Sequence, residues 1–225
     1  MADRGYLKAV LNKASASLAG KPVLKDVSLT IDGGGVTVVI GPNGAGKSSL
    51  LSALAGVLAL DAGQRQITEP DGKDAAITRV GYVLQKPVLL RRSIAGNMDY
   101  AMAAAGVDRS LWAERRLAML SVMNITQDER RSAFHLSQGE RQRLAVARVL
   151  AMNPGMLMLD EASNSLDQET VDLMETHVRD LADQGMPVIW VTHSLDQAKR
   201  IADRIVIIKN GQIIKDSLAD EFFSV

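Results

Sequence analysis

The chain has 225 residues, 26 Lys and Arg against 26 Asp and Glu, 47% apolar residues and no cysteine. That length suits one α/β domain with a sizeable core; the charge balance excludes a global field toward nucleic acid or anionic lipid. Missing cysteine excludes disulfides and cysteine-ligated zinc or iron–sulfur centres and fits a reducing cytosol, while no apolar run reaches the ~18 residues of a membrane span.

The N-terminal stretch MADRGYLKAVLNKAS lacks the apolar core of a signal peptide, so the chain by itself is expected to be soluble. Residues 6–40 read as strand-rich: Val23 to Ile31 alternates at period two, and Asp32-Gly33-Gly34-Gly35 is a turn. Val36 to Ile40 is an apolar run suited to a buried parallel strand. Residues 48–55 keep an apolar face at helical spacing and stop at Gly56. A polar stretch follows, and then a short strand, Val80 to Leu84, ending at Gln85.

Residues 86–135 change character, being rich in Ala, Met, Leu and Arg, with helices expected at about 93–105 and 109–123. They read as a helical insertion in an α/β chain. Alternation then returns: helix 138–152, strand 156–160, helix 168–184 and strand 187–192. Next comes a short helix at Ser194, with Gln197 completing a capping box. Residues 204–214 predict a hairpin around Asn210-Gly211. One domain over 1–225 is expected, with core segments 1–85 and 154–225 and a helical subdomain over 86–153.

Chemistry concentrates first at residues 41–48, Gly41-Pro42-Asn43-Gly44-Ala45-Gly46-Lys47-Ser48, which fit the G-x-x-x-x-G-K-[ST] phosphate loop between strand and helix. Glycines let successive N–H groups turn inward, and the helix N-terminus adds its positive pole, so the loop can wrap a phosphate chain. Lys47 is expected on the β- and γ-phosphates, Ser48 on Mg²⁺, and Ser49 beside the nucleotide. Downstream, Met156 to Leu159 is followed by Asp160-Glu161. Two acids at the carboxyl end of a buried strand emerge beside the loop. Asp160 is placed to hold Mg²⁺ and Glu161 to polarise the attacking water.

Residues 136–143, Leu-Ser-Gln-Gly-Glu-Arg-Gln-Arg, resemble the LSGGQ signature of ATP-binding cassette (ABC) ATPases. Gln85 resembles the family's Q-loop, Asn164-Ser165-Leu166-Asp167 its D-loop, and Val191-Thr192-His193-Ser194 its switch-histidine segment. The resemblance covers essentially the whole chain. It implies an ABC-type P-loop NTPase with a mixed core sheet, an N-terminal antiparallel subdomain and an inserted helical subdomain. It further implies ATP and Mg²⁺ as cofactors, Gln85 near the metal, His193 on the γ-phosphate, and Ser137 and Gly139 acting on ATP held by a second subunit. A head-to-tail homodimer follows, with Asp167 carrying signals between its sites.

Two departures stand out. The signature has Gln138 and Glu140 where Gly and Gln are commonest, although Ser137 with Glu140 can form a capping box. The aromatic ring that usually stacks on adenine is absent, and Leu18 or Ser17 aligns there; Leu18 offers an apolar contact without π-stacking. The resemblance implies the energy-supplying subunit of a transporter, working at the cytoplasmic face of the cell (inner) membrane. Its partners are then a separate membrane permease, which docks at Lys86-Pro87-Val88-Leu89-Leu90, and an external solute-binding protein. Import is favoured, because QKPVLLRRSIAGNMDYAM is similar to ATPases of phosphate, tungstate or molybdate uptake. An exporter with separately encoded membrane chains is the alternative; a nucleic-acid or ribosomal cassette fits less well, and no nucleic-acid partner is expected.

Overall fold

The computed structural model describes residues 5–224; the first four residues of the N-terminal stretch read above, and Val225, lie outside it. The chain forms β1 (Lys8–Leu18), β2 (Lys21–Ile31), β3 (Gly35–Ile40), α1 (Lys47–Leu54), β4 (Ala62–Thr68), β5 (Val80–Val83), α2 (Ile94–Ala104) and α3 (Trp112–Val122). It continues with α4 (Gln138–Ala151), β6 (Met156–Asp160), α5 (Gln168–Asp183), β7 (Pro187–Val191), α6 (Leu195–Ile201), β8 (Arg204–Lys209), β9 (Gln212–Leu218) and α7 (Ala219–Phe223). This is the expected α/β architecture. A three-stranded antiparallel sheet, β2-β1-β4, stands beside a six-stranded sheet ordered β5-β6-β7-β3-β8-β9. In the second sheet only the β8–β9 pair is antiparallel.

Central strands bury both faces, and alternate residues feed two separate cores. Val38, Leu157, Leu159, Val188 and Trp190 pack toward α2, α4 and α5 with Met98, Met102, Leu144 and Met174. Val39, Met156, Met158, Ile189 and Val191 pack toward α1 and the antiparallel sheet with Leu50, Leu51, Leu54 and Leu29. At roughly 1.5–3 kcal/mol for each large aliphatic side chain buried, these two layers hold β3, β6 and β7 rigidly side by side. Their carboxyl ends therefore make a fixed platform.

The first sheet differs from a plain alternation. Leu24 and Val27 are both buried, which breaks period two, because Asp26 takes φ 51° in a bulge and its N–H donates to Ser15 Oγ. Opposite, Lys13 takes φ 47° and its backbone N–H donates to Ser28 Oγ. The polar stretch after α1 is also a strand, β4. It lies at a sheet edge with only Ile67 buried, so it carries no alternating apolar signal. The start of the second predicted insertion helix is a 3₁₀ turn at Arg109–Leu111, capped by Asp108.

Candidate active site

The phosphate loop runs from β3 into α1, and its shape follows from close backbone approaches. Gly44 and Gly46 take φ 77° and 107°, the left-handed region that glycine enters without Cβ strain. A Cβ on Gly41 would stand 2.2 Å from the Ile208 carbonyl oxygen, and one on Gly46 would stand 2.8 Å from that of Val23. The β8–β9 turn clamps the loop: Gly211 N–H donates to Ala45 O at 2.8 Å, and Lys25 N–H donates to Gly211 O at 2.8 Å. Helix α1 has Gly46 as its N-cap and no side-chain cap, which leaves first-turn N–H groups free of a side-chain acceptor and available to an anion. Lys47, 6% exposed, donates from Nζ to Gly41 O at 2.9 Å and Pro42 O at 3.2 Å.

The β6 carboxylates meet this loop. Ser48 Oγ donates to Asp160 Oδ1 at 3.1 Å. Burial raises the Asp160 carboxyl above its usual range, partly offset by the Ser48 hydrogen bond, and the neighbouring Glu161 charge adds to the rise. A buried acid hydrogen-bonded to a hydroxyl is a hard-oxygen pair, and these two residues fit Mg²⁺. Glu161 takes φ 49°, held by its N–H donating to Val191 O at 3.1 Å. Its Oε2 accepts from Gln85 Nε2 and from Asn164 Nδ2, both at 2.7 Å, while Oε1 lies 4.0 Å from Lys47 Nζ.

A cavity of about 620 Å³ opens over this group, lined by Val23, Asn43, Gly44, Gly46, Lys47, Ser48, Ser49, Gln85, Glu161 and His193. Residues spread over the sequence from the loop to His193 thus share one concavity. Gly41, Pro42 and Ala45 do not line it; Gly41 and Pro42 supply the carbonyls that hold Lys47, and Ala45 N–H closes the turn onto Pro42 O at 3.1 Å. Leu18 lies next door, half-exposed in a recess of about 200 Å³ with Ser48, Ser49, Ser52, Val57 and Leu58.

Ser137 and Gly139 lie outside the cavity altogether. The Ser137 capping box is complete: Ser137 Oγ accepts from Glu140 N–H, and Glu140 Oε2 accepts from Ser137 N–H at 2.7 Å. The hydrogen bond from Ser137 N–H holds the Glu140 carboxyl below its usual range. That side chain is therefore turned back onto the cap, and Gln138 sits in the first helical turn without a left-handed backbone. At Ser194 only half of the expected capping box forms. Ser194 Oγ accepts from Gln197 N–H, but the Gln197 side chain turns inward to Glu175 and Ser163. The amide goes instead to the buried Glu175 carboxylate, where an unmet hydrogen bond would cost most.

Sequence reasoning missed Val23 as a cavity residue, because its strand pattern masks it, and Asn164 as a direct partner of Glu161. It also missed Asn97. Wholly buried on α2, that amide accepts from Leu90 N–H and donates to Leu90 O and Ser93 O, fixing the segment after Gln85. Beside that segment lies a groove of about 270 Å³ between Pro87–Arg91 and Ala133, Phe134 and Arg141.

A phosphate loop at the strand ends of a mostly parallel sheet, facing two acids on the second strand along, defines a P-loop nucleotide hydrolase. A family model described as ABC transporter matches residues 24–164. The tungstate uptake system ATP-binding protein TupC of Peptoclostridium acidaminophilum is 34% identical over 220 residues, spanning 96% of this chain and 100% of that protein. The Fe(3+) ions import ATP-binding protein FbpC of Streptomyces coelicolor is 37% identical over 207 residues, spanning 90% of this chain but 60% of its relative. A solved ATP binding subunit of an ABC transporter has the same fold, with TM-score 0.87 at 23% identity over 95% of this chain and 90% of that one. The chain belongs to the ABC transporter ATPase family, and it is an ATP-hydrolysing member. Among the described residues, no helix is long and apolar enough to cross a membrane.

Proposed function

We propose that this ATPase powers import of a small oxyanion through a separate membrane permease, by closing head-to-tail with a second copy of itself around two ATP molecules. The observation that carries the dimer is the separation of the capped α4 N-terminus, Ser137 to Gly139, from the cavity holding Lys47, Glu161 and His193. A single chain then offers half of each reaction site. In the closed site the loop N–H groups and Lys47 hold the β- and γ-phosphates, and Leu18 covers the base. Ser48 and Asp160, with Gln85 close by, would hold Mg²⁺, and the ion would supply positive charge against the phosphates. Glu161 orients and deprotonates the water, and His193 contacts the γ-phosphate. The partner's α4 N-terminus adds donors and a positive pole from the other side.

The groove along Pro87–Arg91 and Phe134 supports permease docking: Val88 and Phe134 are exposed apolar side chains, 64% and 63%, on a segment that Gln85 ties to Glu161. Residues 86–153, which include that groove, are then the unit that moves. A chain docked there would work at the cytoplasmic face of the cell (inner) membrane. Likeness to a tungstate uptake protein across its full length supports an oxyanion, and an external solute-binding protein would complete the system. The test is purification of the tagged chain from native membranes in mild detergent. A multi-span membrane protein with a solute-binding protein in the same system is the expected result. Recovery of nucleic acid or ribosomal proteins with no membrane partner would overturn it.

A further inference from the structure

We propose that Gln197 is a positioning residue for hydrolysis, tying the turn that carries Glu161 to the helix that follows His193. Gln197 is 4% exposed and stands where three elements meet. Its Nε2 donates to Glu175 Oε1 on α5 at 2.8 Å, and its Oε1 accepts from Ser163 Oγ at 3.2 Å. Arg200 holds the same Glu175 carboxylate through Nε at 3.0 Å and a terminal nitrogen at 2.8 Å. Paired with a guanidinium, that carboxylate can only accept, so the Gln197 amide must present its NH₂ to Glu175 and its carbonyl to Ser163. The Ser163 hydroxyl must then be the donor. The network has one polarity and no free rotation.

What it fixes is the acidic turn. Ser163 lies two residues after Glu161, and its carbonyl accepts from Leu166 N–H at 3.1 Å. Asn164 N–H donates to Glu161 O at 3.2 Å, while its side chain holds the Glu161 carboxylate. Pinning Ser163 therefore restrains the left-handed backbone of Glu161, a conformation that persists only when its surroundings over-determine it. On the other side, Gln197 lies four residues after His193. Its own N–H is held by Ser194 Oγ, and Ser194 N–H by Thr192 Oγ1 at 3.1 Å. Seven residues make a helix too short to stand alone, so α6 is registered by this buried amide. Glu161 and His193 line one cavity and share one reference point.

The inference rests on the hydrolytic roles given to Glu161 and His193. The test is steady-state ATP hydrolysis by Gln197→Ala, Ser163→Ala and the double variant, in the full chain with its co-purifying membrane partner. MgATP binding and thermal unfolding are measured alongside. Each single variant should lower kcat on the order of ten- to a hundredfold, with KM and MgATP affinity within about twofold and the double no worse than the weaker single. Ser163 is at the surface end of the network, so its variant keeps the fold. Parental kcat in either single variant, multiplying losses in the double, or losses that track unfolding temperature would each overturn the proposal. Parental turnover by Glu161→Gln would instead remove the underlying reading, which separates the two failures.

Discussion

Replacing Glu161 by Gln tests the reaction chemistry with little disturbance of shape. Both hydrogen bonds to the carboxylate, from Gln85 and Asn164 at 2.7 Å, reach Oε2 alone. A glutamine carbonyl can accept the same two, which leaves its NH₂ where Oε1 now lies 4.0 Å from Lys47. The side chain keeps its place and loses its proton-accepting charge. General-base assistance contributes roughly 10²–10⁴-fold, or about 3–5 kcal/mol of barrier at 1.36 kcal/mol per decade. Phosphate release at saturating MgATP should fall by about that factor, while equilibrium MgATP binding changes by less than about threefold. Turnover within tenfold of the parent, at unchanged binding, would refute Glu161 as the base and leave it an anchor for Gln85.

Asp160→Asn removes a buried charge whose folded-state pKa is raised. For a raised acid, stability is full below the unfolded pKa and is lost as pH rises through the folded value. The nucleotide-free variant should therefore unfold at a higher temperature than the parent at pH 7–8, with the gap closing toward acid, while the stabilisation added by MgATP shrinks; a lower unfolding temperature at pH 8 would contradict the burial argument. Gly41→Ala forces a Cβ against the Ile208 carbonyl oxygen; overpacking of about 1–3 kcal/mol should lower the unfolding temperature by roughly 2–12 °C and weaken MgATP binding in a titration. Val88→Asp puts a charge on an exposed groove residue, so calorimetry should find stability within about 0.5 kcal/mol of the parent. Co-purification of the membrane partner should be lost.

Most of the α/β core could be read from the chain because buried parallel strands such as β3 (Gly35–Ile40) and β6 (Met156–Asp160) are short, largely apolar runs that end in chemistry. The phosphate loop and the Asp160-Glu161 pair were legible for the same reason: each sits where a buried strand must release polar groups. β4 was not legible, because an edge strand with one buried side chain obeys hydrogen-bonding geometry and leaves its composition free. The bulges at Lys13 and Asp26 were hidden too, since a bulge shifts burial by one residue without changing residue types. Local spacing marks the Gln197 side chain as half of a capping box, but its partners, Glu175 and Ser163, lie 22 and 34 residues away and meet it only through tertiary packing.

The distance between the α4 cap and the phosphate-loop cavity has a genetic consequence. In a head-to-tail pair, damage to Lys47 and damage to Ser137 on the same chain fall in different sites. Mix two chains, one broken at each position, and the hybrid pairs both defects in one site while the other receives an intact loop and an intact cap. Two inactive alleles would then restore part of the activity when expressed together, whereas two different loop alleles would not. Complementation in the growing cell thus maps which residues share a reaction site, without any purified protein.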